Sequence, residues 1–195
     1  MNLIVYATTS GATQDVATML AAMIGEADTR LVNLRKDPLT IDGDHDWVFA
    51  GTPTYGKGDW HYAWIRRHLE VGPALKRASR VALFGLGDSV HHAETFAGGI
   101  GHLSRFCRDL GVVTLGQVPE HRRSPSVVDG YFPGLVIEYG RERRRVQAML
   151  TKWLRGLGVG NLAMSSTSPT VGGFAEEAGD KEAMAELGEL SGGGE

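Results

Sequence analysis

At 195 residues and 42% apolar composition, the chain suffices for one domain with its own core and is too short for two full ones. Its single cysteine excludes an internal disulfide framework and fits a reducing compartment. The formal charge is −3, no base-stacking platform for nucleic acid is evident, and no apolar stretch approaches the ~20 residues of a bilayer span.

The chain opens on a nearly continuous apolar run at residues 3–7, with no basic region or cleavage site ahead of it. A soluble, cytoplasmic protein without membrane association is therefore expected. Similar runs follow at 29–34, 47–51, 80–85 and 112–117. Runs as apolar as Val81-Ala82-Leu83-Phe84 suit strands covered on both faces, as in a parallel sheet. Between them lie amphipathic helical patterns. Val16, Met19, Leu20 and Met23 share a stripe, and further patterns occupy 60–69, 96–110 and 141–157, the last aligning Val146, Met149, Leu150 and Trp153. This alternation predicts an α/β fold, a doubly wound sheet of five parallel strands with helices on both faces. Cys107 reads as a small core residue. Trp60, Trp64 and Trp153 sit at helical spacings and Trp47 opens a strand, so all four are assigned to packing.

Residues 119–134 break the rhythm with three prolines and two glycines before the apolar pair Val136-Ile137. A structureless stretch of that length inside a domain needs a reason, and an insertion in the fifth strand supplies one. Residues 161–195 hold seven acids and one base, leaving 16 acids and 19 bases in the rest of the chain. A Gly/Ser/Glu-rich segment of this kind buries too little apolar surface to offset its ordering entropy, and disorder is expected over 158–195.

The chemistry concentrates in loops that follow strand C-termini, where open parallel sheets bind ligands. In Tyr6-Ala7-Thr8-Thr9-Ser10-Gly11-Ala12-Thr13, the hydroxyls of Thr8, Ser10 and Thr13 surround a glycine at a helix start. Unsatisfied N–H groups and the macrodipole attract an anion there. The loop has no lysine or arginine and matches neither Gly-Lys-Ser/Thr nor Gly-x-Gly-x-x-Gly, so a phosphate monoester on neutral donors fits better than a triphosphate or a dinucleotide. The same residues also suit a plain N-cap. The second loop runs from Gly51 to Trp60 and the third from Phe84 to His92. Their glycines let backbone approach a flat ligand, Tyr55 offers a ring for stacking, and Asp88 is placed to accept from a ring imide N–H. No third and fourth ligand joins His91 and His92 at metal-binding spacing, so no metal is expected.

Gly-Thr-Pro-Thr-Tyr-Gly at 51–56, Ala-Leu-Phe-Gly-Leu-Gly-Asp at 82–88 and Asp-Gly-Tyr-Phe-Pro-Gly-Leu at 129–135, with the hydroxyl loop in register, resemble the flavodoxins, specifically the long-chain type. The likeness covers residues 2 to about 157. It implies an FMN-binding domain at 1–157. It further implies a low-potential one-electron carrier that shuttles electrons from a flavin reductase or ferredoxin-like donor to an acceptor enzyme, working as a monomer with no substrate of its own. Residue by residue, it assigns the FMN phosphate to Thr8, Thr9, Ser10, Gly11, Ala12 and Thr13, with Thr54 near the ribityl chain or phosphate. Tyr55 takes one flavin face and His92 the other. Gly87 and Asp88 border the pyrimidine end, and Leu86 and Gly58 complete the set. The Gly56-Lys57 peptide stands where the family's backbone reorients toward N5 of the one-electron-reduced flavin, a change that glycine makes inexpensive.

The chain departs from the resemblance in charge. His92 replaces a tyrosine, and Glu120-His121-Arg122-Arg123 and Gly140-Arg141-Glu142-Arg143-Arg144-Arg145 replace segments that are acidic in relatives. Less negative charge near a reduced flavin predicts a less negative second potential, rising further in acid as His92 protonates. The arginine run reads either as a solvated helix face or as a docking patch for an acidic partner. Two other functions stay open: an FMN-dependent oxidoreductase of the quinone reductase type, with His92 at the flavin edge, and a flavin-free interaction module on the same fold. With no recognisable catalytic acid/base cluster, an electron-transfer protein is favoured over an enzyme.

Overall fold

The computed structural model describes residues 1–39 and 43–159; the tail expected to be disordered lies, from residue 160 on, outside the described residues. Strand β1 (Asn2–Tyr6) is followed by helix α1 (Ala12–Ile24), strand β2 (Thr29–Asn33), strand β3 (Trp47–Tyr55), the short strand β4 (Asp59–Trp60) and helix α2 (Tyr62–Arg77). Then come β5 (Arg80–Leu86), α3 (Gly98–Asp109), β6 (Thr114–Leu115), β7 (Val118–Pro119), β8 (Tyr131–Phe132) and β9 (Leu135–Ile137). The four-residue helix α4 (Tyr139–Glu142), a 3-10 turn at Arg143–Arg145 and α5 (Val146–Gly156) complete the described chain.

The main sheet is parallel in the order β2-β1-β3-β5-β6, a doubly wound α/β sheet with helices on both faces. Its strands alternate sides, as a pleat with both faces covered requires. Leu3 and Val5 pack with Trp64 and Leu75 of α2 and Ile100 and Leu103 of α3, whereas Ile4 and Tyr6 pack with Val16 and Leu20 of α1 and Leu150 and Trp153 of α5. Cys107 lies in the first of these layers, and its burial pushes the thiol up to about 12. Among the described residues no helix is long and apolar enough to cross a membrane.

The fifth strand position is shared by two pieces. Thr114 and Leu115 pair with Val81 and Ala82, while Leu135, Val136 and Ile137 pair with Phe84, Gly85 and Leu86 further along β5. The intervening chain leaves the sheet and folds on itself through the antiparallel pair β7–β8. This is the insertion that the prolines and glycines announced. The predicted strand at 112–117 shrinks to two residues because Gly116, at φ +80°, turns the chain, and its carbonyl accepts from the Trp153 indole at 2.7 Å.

Three other expectations are corrected. Trp60 belongs to β4, where Thr54 pairs with it across a tight hairpin, and its ring stacks on that of Trp64 at 6.0 Å. The helix predicted at 60–69 instead starts at Tyr62 and runs to Arg77. The helix predicted from Phe96 begins at Gly98, because Ala97 takes a left-handed conformation at φ 54°. In the last segment, the arginine run is a 3-10 turn between two helices instead of one continuous helix. At the end of the described chain Val159 is buried, its N–H bonded to the Leu154 carbonyl.

Candidate functional site

The C-terminal ends of β1, β3 and β5 open into a cavity of about 510 Å³, within the range of small-ligand sites. Of the fifteen residues predicted for the site, Thr8, Thr9, Ser10, Ala12, Thr13, Thr54, Tyr55, Gly56, Leu86, Gly87, Asp88 and His92 line this one cavity. Gly11, Lys57 and Gly58 do not. Gly11 caps α1 from within the hydroxyl loop, Lys57 is exposed at the hairpin tip, and Gly58 is covered by Thr95 and Gly98.

The β1–α1 loop is wound tightly. The Gly11 N–H donates to Thr8 Oγ1 at 3.0 Å, Gly11 sits at φ 92°, and no side chain caps α1. The thirteen-residue helix therefore presents its first amides and the positive end of its dipole to the cavity. Thr9 Oγ1 lies 2.9 Å from Nε2 of His61, which caps α2.

The second wall is the β3–β4 hairpin. Its turn is closed by the Gly58 N–H donating to the Tyr55 carbonyl at 3.2 Å, with Gly56 at φ 53° at the tip. A Cβ on Gly56 would meet nothing within 4 Å, so the glycine answers the backbone conformation and not crowding. Tyr55 is 49% exposed, its ring edge-on to His61 at 5.8 Å. The hairpin rests on α3 through a backbone contact that only glycine permits, for a Cβ on Gly98 would lie 2.3 Å from the Gly58 carbonyl oxygen.

The third wall is the loop after β5. Asp88 Oδ1 accepts from the N–H groups of Val90 and His91 at 3.0 and 3.2 Å, and Oδ2 accepts from His91 Nδ1 at 2.6 Å. The His91 ring, then the backbone amides, hold the Asp88 carboxyl down to about 2. This carboxylate thus organises its own loop, and His92 lines the cavity beside it.

Sequence reasoning missed Pro53, Phe96, Tyr139 and Gly140, which also line the cavity. Tyr139 and Gly140 follow the C-terminus of β9, so the rule that found the other three loops, applied to Val136-Ile137, was the available signal. The Tyr139 hydroxyl donates to Asp15 in the first turn of α1, tying the fourth loop to the first. Part of the expected positive charge is paired at the surface: Arg122 and Arg141 meet the buried carboxylate of Glu138, and the Arg143 guanidinium lies over the Tyr139 ring at 5.8 Å. Among the described residues no cluster of three metal-ligating side chains occurs.

Comparison with known proteins agrees with this geometry. The flavodoxin family profile matches residues 4–183. Flavodoxin 1 of Azotobacter vinelandii is 31% identical over 159 residues, covering 77% of this chain and 91% of the relative. The flavodoxin of Klebsiella pneumoniae is 26% identical over 163 residues, covering 77% and 93%. The crystal structure of Fusobacterium nucleatum flavodoxin bound to flavin mononucleotide superposes with a TM-score of 0.71 at 21% identity, covering 80% of this chain and 96% of that one.

Proposed function

Because the chain belongs to the flavodoxin family, we propose that it binds FMN without a covalent bond in the 510 Å³ cavity and carries electrons one at a time, at low potential, from a reductase or ferredoxin-like donor to an acceptor enzyme. The observation that carries this reading is the convergence on one cavity of a hydroxyl-lined helix N-terminus with no side-chain cap and two loops bearing Tyr55 and His92. The fit is chemical as well as spatial. Neutral donors suit a phosphate monoester, an aromatic ring and an imidazole flank the space between the walls, and no cationic side chain stands in the hydroxyl loop.

When bound, FMN supplies reversible one-electron chemistry that no side chain here offers. The protein's part is to hold and tune it. Thr8, Thr9, Ser10, Gly11, Ala12 and Thr13 would hold the phosphate through hydroxyls and the amides of α1, with Thr54 beside them. Tyr55 and His92 would flank the ring, and Leu86, Gly87 and Asp88 would border its polar end. Gly56, Lys57 and Gly58 form a hairpin tip whose central peptide is free to turn its carbonyl, since Gly56 tolerates either sign of φ. The insertion between β6 and β9 supports the long-chain type, and His92 on the cavity wall supports a second potential above that of acidic relatives. A cytoplasmic monomer that binds neither nucleic acid nor membrane completes the reading.

An anaerobic spectral redox titration tests it. A yellow protein whose flavin is released by acid and takes up two electrons in separate steps is expected. Concerted two-electron reduction, with steady turnover of quinone by a nicotinamide cofactor and no added reductase, would contradict it.

A further inference from the structure

His61 is fully buried, yet it lies on the wall of no catalytic cluster and belongs to a different loop from the residue it touches, Thr9. Its ring serves two partners at once. Nδ1 accepts the Ala63 N–H at 3.1 Å and so caps α2, a task that usually falls to Ser, Thr, Asp or Asn. A nitrogen that accepts from an amide carries no proton, so the proton of the neutral ring sits on Nε2. Nε2, 2.9 Å from Thr9 Oγ1, is therefore the donor and the hydroxyl the acceptor.

With its oxygen engaged in this way, the Thr9 hydroxyl has its own proton left to give, and Thr9 lines the cavity next to the N-terminus of α1. We propose that His61 is a positioning residue for the cofactor's phosphate, turning the Thr9 hydroxyl into a dedicated donor toward that anion; the inference rests on the FMN reading above. Two further observations agree. Burial, and then the charge of Arg35, push the His61 imidazole below its ordinary value, which keeps the ring neutral. The ring is also held from behind, because the His61 N–H donates to Thr52 Oγ1 at 3.2 Å and Tyr62 packs at 4.3 Å.

The test compares FMN with riboflavin, which lacks the phosphate, on the apoprotein. Asparagine keeps an acceptor where Nδ1 stands and so keeps the cap, but does not reach Thr9; glutamine places its amide nitrogen near the position of Nε2. We expect His61→Asn to weaken FMN binding about tenfold, the worth of one hydrogen bond to a charged group, and to leave riboflavin binding unchanged. His61→Gln restores most of the affinity, and His61→Asn adds nothing in a Thr9→Val background. An FMN affinity unchanged within about twofold, or an equal loss for riboflavin, overturns the inference. The imidazole 15N shifts of the unsubstituted protein provide a test that needs no variant: an Nε2–H tautomer is expected, and an Nδ1–H tautomer or an imidazolium at neutral pH overturns it. If the unsubstituted protein takes up neither flavin, the FMN reading itself has failed.

Discussion

His91 Nδ1 stands 2.6 Å from Asp88 Oδ2, and the same carboxylate accepts two amides of the loop it begins. The Asp88 side chain is thus a brace for the wall that carries His92. Its carboxyl, held at about 2, contributes order that is present above the ordinary value of ~3.9 and is lost as pH falls toward 2. Asp88→Asn should speed amide exchange of Val90 and His91 about tenfold and weaken FMN several-fold. Hydrogen exchange by NMR checks this, and unchanged exchange rates would show that the loop is ordered by something else.

Stability should fall on mild acidification. Burial is the largest cause that lowers the imidazoles of His45, His61 and His102. The unfolded chain therefore binds more protons below ~6.5 than the folded one does. The stability tied to these neutral rings is fully present above that value and is lost as pH drops through the lowered folded values. Urea midpoints measured from pH 7.5 to 5 should decline, and replacing His45, which is buried at the sheet end away from the site, should flatten the decline. A midpoint that rises toward pH 5 contradicts the assignment.

Gly98→Ala tests whether α3 supports the β3–β4 hairpin. Its new methyl would press on the Gly58 carbonyl oxygen, a backbone atom with no rotamer to change. A loss of roughly 1–3 kcal/mol in unfolding free energy is expected, with a further loss of FMN affinity as the hairpin and Tyr55 shift. Gly56→Ala, where a Cβ meets nothing within 4 Å but the backbone keeps a φ of +53°, should strain the hairpin tip, weaken FMN only modestly and differ chiefly in its first one-electron potential.

His92→Tyr should make the second one-electron potential more negative, because a phenol replaces the imidazole beside the reduced cofactor. Potentiometry on both proteins decides this. An identical second potential would remove His92 from the account of the potential.

The strands were legible because their runs are apolar on both faces, and three walls of the cavity were legible because ligands gather where such strands end. Less visible were features fixed by contacts between distant residues. Trp60 has helical spacing to Trp64, but pairing with Thr54 holds it in β4. The end of the fifth strand depends on Gly116 meeting Trp153, 37 residues away. The fourth wall escaped notice because Tyr139 adjoins an arginine run that draws attention to surface charge. His61 carried no local signal at all, since its role depends on two loops that only the folded sheet brings together.

Everything rests on the cavity accepting a flavin by its phosphate. Titrating the apoprotein with FMN while following flavin fluorescence measures this most directly. Stoichiometric quenching at one FMN per chain is expected, with riboflavin binding markedly more weakly. Fluorescence that stays unquenched in a several-fold excess of FMN would contradict it.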